Sequence, residues 1–218
     1  MSTDSCLFGA WCAALIESGV IAPKQILDVG AGSGLLMLML AQKSNAEIHG
    51  IEIDHDSYLQ AIENLQSSPW QARIKIVEGD VRSFNFRQTF DLIVSNPPFF
   101  EGDLKPLQQQ KLISKHAETL TLTALIDAIL PFMHAESRFA CLLPFHRHDE
   151  MIELAAEKGL HLQRSMLVKQ TMQHDCFRSM MLFGKKQISS ITEDIVILDG
   201  NQYTPAFEML LKDYYLKL

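Results

Sequence analysis

The stretch that most constrains this chain is residues 25–34, where the apolar run Gln25-Ile26-Leu27-Asp28-Val29 stops at Gly30-Ala31-Gly32-Ser33-Gly34. A second apolar run, with helical spacing, begins at Leu35 and continues to Lys43. A short β-like run, a glycine cluster and a helix in immediate succession read as strand, tight turn and helix. Glycines at such a turn let the backbone bend sharply and let a ligand approach without a Cβ in the way.

The alternation continues along the chain. Strands are expected at 47–53, 73–77, 90–94 and 139–143. Helices are expected from Asp56, which is read as the N-cap region, to the Ser67-Ser68-Pro69 stop, then over 119–133 and 149–158. After Gly159 the pattern changes. Residues 161–168, 176–183 and 194–198 read as strands with no helix between the first two, which implies an antiparallel hairpin at one end of the sheet. The whole is an α/β chain of 218 residues, one domain over 1–218, with a mostly parallel, twisted sheet and its ligand crevice at the carboxyl ends of the strands.

A formal net charge of −7 argues against a protein that coats nucleic acid by bulk electrostatics and leaves room only for a local basic groove. Candidates for that groove are Lys105, Lys111, Lys115 and His116, Arg147 between His146 and His148, and the pair Lys185 and Lys186. Cys6, Cys12, Cys141 and Cys176 lie in no metal-ligand spacing, so they are expected as buried thiols, with no metal. No basic segment precedes an apolar one at the start, and the apolar run 35–41 is far short of a membrane span, so the expected location is cytoplasmic, with no membrane partner.

The glycine turn has two obvious ligands, and spacing separates them. A dinucleotide fingerprint G-x-G-x-x-G would place its third glycine at position 35, where Leu35 stands. Asp28, just before the turn, would repel a pyrophosphate but suits a ligand bearing an ammonium group. S-adenosylmethionine carries an ammonium and a sulfonium. Glu52 follows Gly32 by twenty positions, where an acid accepts from ribose hydroxyls, and Asp80 follows the third strand in position to accept from an adenine amino group. His49 is read as a sheet residue. The expected cofactor set is Asp28, Gly30, Gly32, Gly34, Glu52, Ile53, Asp80, Val81 and Asn96.

The sharpest signal is Ser95-Asn96-Pro97-Pro98-Phe99-Phe100, directly after the fourth strand. Two prolines fix φ and remove two backbone N–H groups, which leaves carbonyl acceptors in a rigid arrangement. An amine on an aromatic ring or acyl carbon is a poor nucleophile because its lone pair is delocalised. Accepting both of its hydrogens, on Asn96 and on the Pro97 carbonyl, favours a pyramidal nitrogen with its lone pair aimed at a methyl group. Phe99 supplies a face for stacking. Asn96, Pro97, Pro98 and Phe99 are the expected catalytic residues.

These residues resemble the class I aminomethyltransferases with an Asn-Pro-Pro-aromatic motif. More narrowly, the chain resembles the tRNA1(Val) adenine-37 N6-methyltransferase family, through Ser2-Thr3-Asp4-Ser5-Cys6-Leu7-Phe8-Gly9-Ala10-Trp11, the run LDVGAGSGLL at 27–36, SNPPFF at 95–100, and the end from Tyr203-Thr204-Pro205-Ala206-Phe207 to Lys212-Asp213-Tyr214-Tyr215-Leu216. The resemblance implies a Rossmann-like fold, S-adenosylmethionine as cofactor and the anticodon loop of tRNA as partner. It also implies that residues 1–24 cover the cofactor, with the family's further N-terminal residues absent. The central motif alone fits two other substrates, a protein glutamine amide and a DNA adenine, and a noncatalytic nucleotide-binding module is the reading from a different class.

Overall fold

The computed structural model describes residues 3–97 and 120–215. Strands β1 (Gln25–Val29), β2 (Glu47–Glu52), β3 (Ile74–Glu78), β4 (Phe90–Ser95), β5 (Met133–Pro144), β6 (His161–Lys169), β7 (Cys176–Gly184) and β8 (Ile191–Val196) form one eight-stranded sheet in the order β3-β2-β1-β4-β5-β7-β6-β8. All neighbouring pairs are parallel except the two that involve β7. The expected antiparallel hairpin is β6 with β7, but β8 lies outside it and closes that end of the sheet in parallel with β6. The strand expected at 194–198 is therefore displaced. Its register runs from Arg164↔Ile191 to Lys169↔Val196, and Leu198–Asp199 (β9) then turns away to pair with Gln202–Tyr203 (β10).

Alternating side chains of the central strands feed two cores. Ile26, Ile48, Leu92 and Val94 pack on one face with α1 (Thr3–Glu17), α2 (Leu35–Lys43) and α6 (Pro205–Leu211). Leu27, Phe90 and Ile93 pack on the other with α4 (Leu122–Ile129) and α5 (His148–Glu157). Helix α3 (His55–Gln66) lies beside β2 and β3 and buries Ala61 and Leu65. This two-faced burial is why β1 and β4 read as nearly continuous apolar runs.

Sequence reasoning anticipated no helix before β1. In α1 every residue from Cys6 to Ala13 is buried, which is the mark of a helix held inside a fold rather than on its surface. Gly9 permits its close approach to α2, since a Cβ there would meet Met39 Sδ at 2.6 Å. Burying Phe8 and Trp11 stabilises by about 1.5–3 kcal/mol each relative to exposure.

Other boundaries moved for local reasons. The N-cap of α3 is Asp54 rather than Asp56, because Asp54 is the residue with extended backbone and its Oδ1 accepts from Ser57 N at 2.9 Å. Helix α4 is shorter than expected. Thr121 caps it, and Pro131, which has no N–H to donate, sits in a 3-10 turn over Leu130–Phe132. Strand β5 is longer, because an irregularity in the pairing with β4 between Phe90 and Leu92 carries the polar stretch before Phe139 into the sheet.

Candidate active site

The glycine turn between β1 and α2 holds Gly30, Gly32 and Gly34 at φ of 73°, 54° and 82°, a region that L side chains rarely adopt. The space around Gly30 and Gly32 is open, with nothing within 4 Å of where a Cβ would stand. Their requirement is thus torsional, and the backbone faces free space. The turn is fastened to β2: Gly30 N and Ala31 N donate to Ile51 O at 2.9 and 3.1 Å, and Gly32 N donates to Glu52 Oε2 at 2.7 Å. Glu52 Oε1 accepts from Asp54 N at 2.8 Å, so both carboxylate oxygens are engaged by backbone N–H groups while each keeps a lone pair.

Asp28 is fully buried at the second position from the end of β1, and neither of its carboxylate oxygens has a partner among the described residues. Burial, and then the nearby Glu52 charge, push its carboxyl up to about 8. A buried acid without a partner is costly as a carboxylate and is ordinarily paired with a cation or a donor. This orphaned group fits a cofactor that brings an ammonium into the crevice.

Val29, Gly30, Ile51, Ile53, Gly79, Asp80, Val81, Arg82 and Leu120 line a cleft beside the turn. Ile53 is 53% exposed there, a large apolar face open to solvent, and Val81 is buried. The Asp80 carboxylate is less available than sequence reasoning assumed. Its Oδ1 accepts from Arg82 N and Nε at 2.9 Å, and its Oδ2 from Arg82 Nη2 at 2.5 Å. Arg82 accordingly holds the Asp80 carboxyl below its usual range. The signal for this clamp is present in the sequence, an Asp with a guanidinium two residues on in a turn, and sequence reasoning missed it.

At the end of β4, Ser95 Oγ donates to Val29 O at 2.8 Å and ties the motif strand to the cofactor strand beside it. Asn96 Nδ2 donates to Ser5 Oγ at 2.8 Å, while Asn96 Oδ1 is buried with no partner among the described residues. Pro97 is buried. Pro98 and Phe99 lie outside the described residues, as do Lys105, Lys111, Lys115 and His116. Asp28, the three glycines, Glu52, Ile53, Asp80, Val81, Asn96 and Pro97 therefore converge on the carboxyl ends of four adjacent strands.

The remaining sequence candidates separate. Lys185 Nζ donates to Met133 O and Lys186 pairs with Glu136, which puts both at the amino end of β5, opposite the crevice. Arg147 does follow the carboxyl end of β5, where its Nε and Nη2 grip Glu150 at 2.8 and 2.7 Å. His49 is a sheet residue, with ring contacts to Phe86 and Phe90. Cys6, Cys12 and Cys141 are buried thiols whose pKa burial raises, whereas Cys176 is only half-buried, contrary to expectation, and among the described residues no group of three or more His, Cys, Asp or Glu could hold a metal ion. No helix among the described residues is long and apolar enough to cross a membrane. The first turn of α1, within the segment 1–24 expected over the cofactor, reaches the crevice through Ser5, a contact that sequence reasoning did not name, and one residue earlier pairs Asp4 with Arg178 Nε of β7 at 2.9 Å.

Among known proteins, the family model of the methyltransferase small domain matches residues 13–125. The chain is 34% identical over 220 residues to the tRNA1(Val) (adenine(37)-N6)-methyltransferase of Pseudoalteromonas translucida (strain TAC 125), covering 100% of this chain and 92% of that one. It is 36% identical over 225 residues to the protein of the same name from Shewanella sp. (strain MR-4), covering 100% and 92%. Among solved structures, a predicted O-methyltransferase from Agrobacterium tumefaciens superposes with a TM-score of 0.71 at 17% identity over 96% of each chain. The glycopeptide N-methyltransferase MtfA complexed with S-adenosylmethionine superposes at 0.60 with 10% identity, over 82% of this chain and 88% of that one. The structural likenesses establish the class I methyltransferase fold, and the full-length sequence relationships establish that the chain belongs to the tRNA1(Val) (adenine(37)-N6)-methyltransferase family, whose cofactor is S-adenosylmethionine.

Proposed function

We propose that this chain transfers a methyl group from S-adenosylmethionine to N6 of an adenine in tRNA, at position 37 beside the anticodon. The observation that carries the reading is the unpaired, buried Asn96 Oδ1 at the end of β4, one strand away from the orphaned Asp28 carboxylate. A buried acceptor without a donor is a site kept ready for one.

When bound, S-adenosylmethionine would supply a methyl on a sulfonium: the S–CH3 bond breaks as the N–CH3 bond forms, a neutral thioether leaves, and the methylated nitrogen, now acidic, releases its proton to water. The chain's residues do the rest. Asp28 pairs with the ammonium of the cofactor, and Gly30, Gly32 and Gly34 hold the turn open for it. Glu52 accepts ribose hydroxyls on the lone pairs that Gly32 N and Asp54 N leave. Ile53 and Val81 cover the faces of the adenine ring, and Asp80 accepts from its amino group by giving up part of its contact with Arg82.

Asn96 Oδ1 and the Pro97 carbonyl each accept one hydrogen of the target amine, which concentrates the nitrogen lone pair toward the methyl. Pro98 and Phe99 lie outside the described residues; their roles in this reading, a stiff segment and a stacking face for the extruded base, rest on the sequence motif alone. Single-stranded loops are where a base leaves its stack at low cost, and a crevice at strand ends admits one flipped base but not a duplex. The tRNA relatives and such a loop together favour a cytoplasmic anticodon substrate.

The test is incubation with methyl-labelled cofactor and separate pools of tRNA, DNA and protein, followed by mapping of the labelled nucleotide by mass spectrometry. Label at an adenine beside the anticodon is the expected result. Label only in DNA or on a protein glutamine rejects the tRNA assignment.

A further inference from the structure

The Asn96 amide is divided between two surroundings. Its Nδ2 donates to Ser5 Oγ at 2.8 Å, and its Oδ1 is buried and unpartnered among the described residues. An Asn amide is nearly symmetric in shape, and a half-turn about its last torsion exchanges an acceptor for a donor. The two orientations are opposite in function for a group that must receive an N–H from the target amine. One presents an acceptor, and the other aims a donor at a donor. An apolar wall does not distinguish them, and a neighbouring serine hydroxyl, which can accept or donate, selects one only where it acts as an acceptor, as Ser5 Oγ does toward Nδ2 here.

Ser5 is that neighbour, and its position is fixed by what surrounds it. One residue earlier, Asp4 Oδ2 accepts from Arg178 Nε of β7 at 2.9 Å. Immediately after it, the run from Cys6 to Ala13 is buried without a break, and Gly9 seats the helix against Met39 of α2. The hydroxyl therefore stands at the end of β4 on a helix that is anchored on both sides, although 91 positions separate it from Asn96 in sequence.

We infer that Ser5 is a positioning residue for methyl transfer: by accepting from Asn96 Nδ2, it holds the amide in the orientation that turns Oδ1 toward the target amine. The inference rests on the proposed role of Asn96 as an acceptor of that amine. In this role Ser5 touches none of the reacting atoms and acts through Asn96.

The test is a double-mutant cycle on the full chain: wild type, Ser5→Ala, Asn96→Ala and the double variant, with Ser5→Thr as the conservative replacement. Single-turnover transfer of labelled methyl is measured on tRNA, and cofactor affinity by calorimetry. Ser5→Ala should lower the transfer rate by about three- to tenfold, the worth of one neutral hydrogen bond, with cofactor affinity unchanged within about twofold. Ser5→Thr should recover most of the rate, and Ser5→Ala should cost nothing further once Asn96 is Ala. An unchanged rate in Ser5→Ala, a loss that persists in the Asn96→Ala background, or an equal loss of cofactor affinity overturns the inference. An Asn96→Ala variant that transfers as fast as wild type overturns the acceptor role itself, and with it both readings. If label goes to DNA or protein instead of tRNA, the same cycle is run on that substrate, and the same outcomes support or overturn the role of Ser5.

Discussion

Glu52 Oε2 accepts a 2.7 Å hydrogen bond from Gly32 N, so a carboxylate on one strand sets the shape of the glycine turn on the next. The same residue is proposed to receive the cofactor's ribose, which makes turn geometry and ligand binding a single problem. Its other oxygen, engaged by Asp54 N, couples the start of α3 to the same carboxylate.

Replacing Glu52 with Gln removes the charge and turns one acceptor into a donor facing a backbone N–H. Hydrogen bonds to a charged acceptor contribute about 1.5–3 kcal/mol each, so cofactor affinity should fall by at least about tenfold. Calorimetric titration with S-adenosylmethionine checks this. An affinity equal to wild type would separate Glu52 from the site.

Asp28 gives the cofactor-free protein a pH dependence of definite sign. Its carboxyl is raised from its ordinary value to about 8 by burial and by Glu52. As pH rises from about 4 to about 8, the unfolded chain has released a proton that the folded chain retains. The stability contributed by the protonated acid is fully present below that window and is lost across it, with no further change above about 8. Asp28→Asn should remove this slope. It should raise the cofactor-free Tm at pH 8 by at least about 4 °C, at about 2–4 °C per kcal/mol for a chain of this size, while weakening cofactor binding. Proton release on binding, read by calorimetry in buffers of different ionisation enthalpy, tests the same acid in the wild type. Parallel pH–stability curves for wild type and variant would refute it.

On the proposed reading of the site, Arg82 and the cofactor compete for Asp80. Asp80→Ala should weaken S-adenosylmethionine binding by about 1–3 kcal/mol, whereas Arg82→Ala should leave it equal or tighter, because the carboxylate keeps only the backbone N–H of residue 82 and no longer has a guanidinium contact to give up. Loss of affinity in both variants to the same degree would mean that the pair acts as a structural clamp.

Much of this crevice was legible because its signals are local. Strand, glycine turn and helix occupy consecutive residues, and α2 lies where the apolar spacing put it. Asp28, Glu52, Asp80 and Asn96 sit at strand ends because alternation of strands and helices forces such ends to one edge of the sheet. What stayed hidden depends on contacts distant in sequence. α1 shows no polar stripe because all sides of its middle are covered, so no helical period stood out. The contact of Ser5 with Asn96 spans 91 positions, and the parallel edge strand β8 depends on pairing with β6 that no local pattern encodes. The Asp80–Arg82 clamp is local, but an acid at a strand end suggests a ligand before it suggests a neighbour two residues on.

On the proposed reading, labour at the end of β4 is divided between holding the cofactor and activating the amine. Asn96 Oδ1 makes no bond among the described residues of the free protein, so its removal should cost little in the ground state and much where charge develops on the target amine. Asn96→Ala should lower turnover by about a hundredfold, as expected when one preorganised polar contact of the transition state is lost. Cofactor affinity should stay within about twofold, because a residue that acts on the attacking amine lowers the rate without loosening the ground-state complex. Calorimetry and single-turnover transfer on the same preparations separate the two effects. A parallel loss of cofactor affinity and rate would place Asn96 in the walls of the cofactor crevice. A large rate loss with intact binding makes it the acceptor on which methyl transfer depends.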